Sequence, residues 1–82
     1  MTYYVYLIIS KIKKKTISYV GYTKDIKKRL ILHNSGKGAK FTRGRFWKLV
    51  YSKKYRSKTK AMREEYKLKK NLKLRKIIKS NA

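Results

Sequence analysis

The 82-residue sequence contains no cysteine, no proline, one histidine and three carboxylates, Asp25, Glu64 and Glu65. Without cysteine there is no disulfide framework, no thiolate zinc site and no cysteine nucleophile, and the redox compartment stays open. Any metal ion would have to complete its shell from water or substrate, and three acids argue against a two-metal cluster. Long apolar runs are also missing. The longest, Val5 to Ile9 with tyrosines before it, is too short to span a bilayer, and the first basic cluster follows rather than precedes it, so it is not read as a signal peptide. A cytoplasmic protein is expected, nucleoid-associated if the host is prokaryotic.

Against this scarcity stand 26 Lys and Arg residues, for a formal net charge of +23. Disorder is the first explanation of such a charge, but 41% hydrophobic and 13% aromatic residues supply enough apolar surface for a core. A chain of this size buries only about 60–65% of its unfolded surface, so one small domain over residues 1–82 is expected. The charge selects a polyanionic partner, with nucleic acid first and DNA ahead of RNA. Association of the cationic, Leu- and Ile-bearing segment 70–82 with anionic lipid is a weaker alternative.

Thr2 to Ile9 alternates tyrosines and branched aliphatics and reads as a strand with apolar groups on both faces. Lys11 to Lys15 reads as a charged connector. Thr16 to Tyr22 follows as a second strand, and the short spacer makes the two an antiparallel hairpin. Thr23 is a candidate N-cap, with Asp25 in the first turn of a helix running to about Asn34, and Ser35-Gly36-Lys37-Gly38 stops it. Ala39 to Arg45 reads as a loop, and Phe46 to Lys53 as a third strand around Trp47, Leu49 and Tyr51. Ser57 caps a second helix from about Lys58, on which Ala61, Glu65, Leu68 and Leu72 form one stripe with a carboxylate inside it. Glu64, one step round, is read as a surface ion-pair residue near Lys60 and Lys67. A basic helical segment closes the chain. The expected class is α+β, a small three-stranded antiparallel sheet with three flanking helices, the third strand lying beside the first.

The tripeptides Tyr4-Val5-Tyr6 and Tyr19-Val20-Gly21 resemble the paired motifs of the GIY-YIG endonuclease family. The continuation from Tyr22 to Leu30 is similar to the N-terminal nuclease domain found in excinuclease. His33 to Gly44 and Ala61 to Lys69 resemble the small stand-alone members, so the likeness covers residues 3 to about 70. The resemblance implies hydrolysis of phosphodiesters with one divalent metal ion, Mg²⁺ or Mn²⁺. It implies Tyr6 as general base, Tyr19 as its hydroxyl neighbour, Arg29 and His33 around the scissile phosphate, and Glu65 as metal ligand. On residue chemistry alone, surrounding cations and a metal would favour the ionised form of Tyr6. Arg29 offers a fork to two phosphate oxygens.

Each of these residues also has an ordinary structural explanation. Strand tyrosines usually pack, Arg29 beside Lys27 and Lys28 is an everyday phosphate contact, and His33 suits a helix C-terminus. Glu65 could equally be a buried ion pair with one of the lysines. Lys37, Lys40, Arg43 and Arg45, interleaved with Phe41, Phe46 and Trp47, look like a nucleic-acid contact loop in which cations hold backbone and an exposed aromatic meets an unpaired base. Two departures from the family pattern stand out. Tyr4 replaces the first glycine, and Ile77 and Ile78 occupy the region where many members carry an asparagine about a dozen positions after the glutamate. Asn71, six positions on, is not assigned that role. The alternative to a nuclease for DNA repair or recombination is a catalytically idle, basic nucleic-acid-binding module of the same fold.

Overall fold

A computed structural model describes residues 2–81. Strand β1 (Tyr3–Ile12) and strand β2 (Lys15–Thr23) form an antiparallel hairpin, and strand β3 (Lys48–Tyr55) pairs antiparallel on the other side of β1, giving the order β2-β1-β3. The hairpin is longer than expected. Lys11 and Ile12 continue β1 and Lys15 opens β2, so the turn is Lys13-Lys14 alone, because charged side chains are well tolerated on exposed strand ends. Lys13 has φ 58°, the left-handed conformation that a two-residue hairpin turn demands of its first central residue.

Side-chain alternation along β1 sends Val5, Leu7 and Ile9 to one face and Tyr6 and Ile8 to the other. The first set packs with Val20 against Ala61 and Leu68 of helix α2 (Lys58–Lys70), with Ile78 of helix α3 (Leu72–Ser80) at its margin. The second packs with Trp47, Leu49, Tyr19 and Leu30, the last from helix α1 (Ile26–Asn34). Each fully buried aliphatic side chain here contributes about 1.5–3 kcal/mol. A bulge in β3 shapes this division. Leu7 faces Tyr51 while Ile8 faces Leu49, so Val50 is an extra residue, and both Val50 and Tyr51 pack on the helix side.

Several boundaries differ from the sequence-based expectation. Thr23 is the last residue of β2 and does not cap α1. Its hydroxyl accepts from the Asp25 amide at 3.2 Å, and Asp25 is the N-cap, its carboxylate accepting from the Lys28 amide at 3.1 Å. Ser57 caps α2 as expected, accepting from the Lys60 amide at 3.1 Å. The loop before β3 contains a short 3-10 turn, Lys40–Thr42. Strand β3 starts at Lys48. Phe46 is outside it and exposed, and Trp47 is buried ahead of the strand because its backbone is clamped by Asn34, whose amide oxygen accepts from the Trp47 N–H at 2.6 Å while its nitrogen donates to the Trp47 carbonyl at 3.1 Å. Leu72 is exposed and leaves the expected stripe, since the helix breaks at Asn71, whose side chain accepts from the Leu74 amide at 3.0 Å and starts α3. Among the described residues no helix is long and apolar enough to cross a membrane.

Candidate active site

A cleft of about 520 Å³ is lined by side chains from both sheet faces and two helices. Tyr6 and Tyr19 enter from one face of the hairpin, Arg29 from α1 and Glu65 from α2, with Lys24 and Lys58 at the margin. Edge strand β2 supplies Gly21, Tyr22 and Thr23 between them. Register explains the meeting of the tyrosines. Tyr6 lies opposite Gly21 and Ile8 opposite Tyr19, so the two phenols are diagonal neighbours on one face.

His33 does not line this cleft. It is 1% exposed and stands behind Tyr6, as the middle link of a hydrogen-bond chain that runs from Tyr6 through His33 and Thr42 to the Ala39 carbonyl. The Thr42 hydroxyl donates to the Ala39 carbonyl at 3.0 Å, which spends its only proton. Its oxygen therefore accepts from His33 Nδ1–H at 2.9 Å, which leaves His33 Nε2 to accept from the Tyr6 hydroxyl at 2.8 Å. The loop holding Thr42 is itself anchored, since the Trp47 indole N–H donates to the Thr42 carbonyl at 2.8 Å. Tyr19 meets the His33 ring edge-on, with centroids 5.1 Å apart.

The electrostatics differ from the simple expectation for Tyr6. Arg29 does favour its ionised form, but burial outweighs this and, with Tyr19 and Glu65 adding to it, pushes the phenol well above its ordinary value. Burial and, secondarily, Arg29 hold His33 below its ordinary value of 6.5, so the ring is neutral at pH 7 and free to accept. At rest the pair is a phenol donating to a neutral imidazole.

Glu65 is mostly buried, its side chain 15% exposed, with Oε2 3.5 Å from Lys69 Nζ. Glu64 pairs with Lys67 at 3.2 Å, as expected of a surface residue. Among the described residues no three His, Asp or Glu side chains gather at one point. One carboxylate with phenolic neighbours in an open cleft is nonetheless a donor set suited to a hard cation that keeps most of its water. Of the basic loop, Lys37, Lys40 and Arg43 are exposed, and Arg45 is half-buried and lies near the hairpin turn, beside Lys13 and Lys15. None of the four lines the cleft. Sequence reading missed Thr42 and the packing roles of Gly21 and Gly38; the single signal available for Thr42 was a hydroxyl in an otherwise basic and aromatic loop.

The chain matches the model of the GIY-YIG catalytic domain over residues 2–77. It is 43% identical over 68 residues to a UPF0213 protein of Oceanobacillus iheyensis, covering 82% of this chain and 76% of that one. It is 58% identical over 48 residues to a UPF0213 protein of Streptococcus agalactiae, covering 57% of this chain and 54%, about half, of the relative. The solution NMR structure of a UPF0213 protein from Bacillus halodurans is similar at 47% identity and a TM-score of 0.46, over 84% of this chain and 71% of that one. The match over almost the whole chain, with motifs on the paired strands that frame the cleft, makes this protein a member of the GIY-YIG family, akin to the UPF0213 proteins.

Proposed function

We propose that the protein is a metal-dependent endonuclease that hydrolyses DNA phosphodiester bonds, with weak or structure-based selectivity, in cytoplasmic DNA repair or recombination. The observation that carries this reading is the convergence of Tyr6, Tyr19, Arg29 and Glu65 on one cleft in a chain of net charge +23. Arg29 offers its guanidinium to two nonbridging oxygens of the scissile phosphate and neutralises charge building there. Glu65 would hold a divalent cation, with water and phosphate oxygens completing its shell. Such a cation, when bound, makes a water easier to deprotonate and screens the phosphate.

The raised proton affinity of Tyr6 gives its role a specific form. Instead of existing as a standing phenolate, Tyr6 receives a proton from the attacking water at its oxygen as its own proton moves to His33 Nε2. The phenol stays neutral before and after, and the neutral imidazole is the terminal acceptor. Thr42 holds the tautomer that keeps Nε2 free. Lys37, Lys40, Arg43 and Arg45 act outside the cleft, on backbone phosphates, which position a nucleic acid without reading its sequence.

Nicking of plasmid and branched DNA with Mg²⁺, with EDTA, and by Glu65→Gln tests this on one preparation. Expected are Mg²⁺-dependent nicking by the wild type, none in EDTA, and none by Glu65→Gln at unchanged or tighter DNA binding, because a negative charge beside the phosphate is gone. A variant that melts several degrees lower yet keeps its activity per folded molecule makes Glu65 a structural ion pair with Lys69. A wild type that binds but never nicks is a binding module.

A further inference from the structure

We propose that Phe41 is a stacking platform for an unpaired nucleobase beside the cleft, so that the favoured substrate has a single-stranded segment next to the cleaved phosphate. The inference rests on the nuclease reading of the cleft and specifies its substrate. Phe41 is 57% exposed, although its neighbour Thr42 is fully buried. Its ring lies 6.1 Å from that of Tyr19 at an interplanar angle of 23°, a stacked arrangement, and Tyr19 lines the cleft. The aromatic surface of the cleft thus continues outward through Phe41 to solvent.

Packing alone does not account for this ring. Phe41 packs against Trp47, which is 1% exposed and whose ring centroid is 6.3 Å away, and still leaves more than half of its own surface in water. Nor is Phe41 on a loose tip. The turn that carries it is tied by the Thr42 hydroxyl to His33 and by the Thr42 carbonyl to the Trp47 indole, so the platform is held ready before any ligand arrives. Exposed Lys40 and Arg43 flank it in sequence and can hold the phosphates on either side of a stacked base. In an intact duplex the base faces are covered by neighbouring base pairs. An unpaired base has a face to offer, and this discriminates single-stranded from double-stranded segments without hydrogen-bond readout.

The test measures affinity in EDTA, where no cleavage intervenes, for a flapped DNA and a full duplex of equal length. The flap carries 2-aminopurine beside the junction. Wild type is expected to bind the flap more tightly and to quench the probe. Phe41→Leu, which keeps apolar bulk but loses the flat ring, is expected to lose about 5- to 150-fold in flap affinity, with duplex affinity and melting temperature nearly unchanged. Phe41→Trp is expected to restore flap affinity and quenching. Equal flap affinity of wild type and Phe41→Leu, or equal losses on flap and duplex, overturns the proposal. Nicking with Mg²⁺ is measured separately. Phe41-dependent flap binding without nicking leaves the platform standing and removes the nuclease reading, and nicking with no effect of Phe41 does the reverse.

Discussion

Gly21 on β2 faces Tyr6 on β1, and the space a side chain would occupy at Gly21 is taken by the Tyr6 ring. A Cβ there would lie 2.6 Å from Tyr6 Cζ and closer still to its hydroxyl. Gly38 makes a matching recess for His33, where a Cβ would lie 2.7 Å from the ring Cγ and 2.9 Å from the His33 Cα. Both partners in the 2.8 Å phenol–imidazole bond are therefore seated against glycines.

Gly21→Ala should displace the Tyr6 ring and break its bond to His33 at a stability cost of about 1–3 kcal/mol, the usual range for overpacking. Nicking should fall far more than the folded fraction does. Activity per folded molecule, with the folded fraction taken from a denaturant curve, checks this; an alanine variant as active as wild type would mean the phenol need not sit there.

Thr42→Val keeps the shape of a fully buried side chain but removes the acceptor for His33 Nδ1–H. One unpaired buried donor costs about 1–3 kcal/mol, so the melting temperature should drop by several degrees. Activity should fall further than stability, since the imidazole is then free to carry its proton on Nε2, which donates to Tyr6 when it should accept. Thr42→Ser should recover both, and rescue of stability without activity would show that the tautomer is irrelevant.

The pH profile follows from His33. Its folded affinity for a proton is lower than the unfolded one, so over the interval below pH 6.5 the unfolded chain binds the proton first. The His33 contribution to stability is complete above 6.5, declines as pH falls from there toward the folded value, and then levels off. The rate should show an acid limb centred on the folded value, where that decline ends, and none above 6.5, because only the neutral ring accepts from Tyr6. Nicking rates and melting temperatures measured across this range check the coincidence, and an acid limb centred above 6.5 would assign it to another group.

Arg29→Ala should lower nicking by about 10²- to 10³-fold, the usual loss on removing a preorganised donor, while barely changing DNA affinity. One phosphate contact among many is nearly redundant for binding but not for the transition state. A steep fall of affinity with salt in both proteins, and parallel slopes in a titration, would establish that the bulk of binding lies elsewhere. Equal losses in affinity and rate would make Arg29 an ordinary backbone contact.

Sequence patterning sufficed where one period governs an element. Alternation along Tyr3–Ile12 separates Tyr6 from Val5, and that separation puts the phenol in the cleft and the valine in the helix-side core. It failed where local hydrogen bonding overrides periodicity. The stripe Ala61, Leu68, Leu72 breaks because Asn71 starts a new helix, a competition between side chain and backbone that leaves no trace in the spacing of apolar residues. Trp47 looks like a strand residue in composition, and only the Asn34 clamp keeps it ahead of β3. For the site, four of the five residues that the resemblance implies converge on one cleft, but Thr42 is joined to His33 through a nonperiodic loop that no pattern reaches. Nor does sequence reveal that burial dominates the acidity of Tyr6, since the number of cations nearby is visible in composition and the solvent lost around a phenol is not.

Trp47 is the single tryptophan of the chain, and its indole is bonded to the same residue that fixes His33. Its emission is therefore a built-in optical gauge of one loop rather than of the molecule at large. A red shift that precedes the loss of helical circular dichroism during a melt would reveal that the loop carrying Thr42 comes away from His33 while the rest of the fold persists.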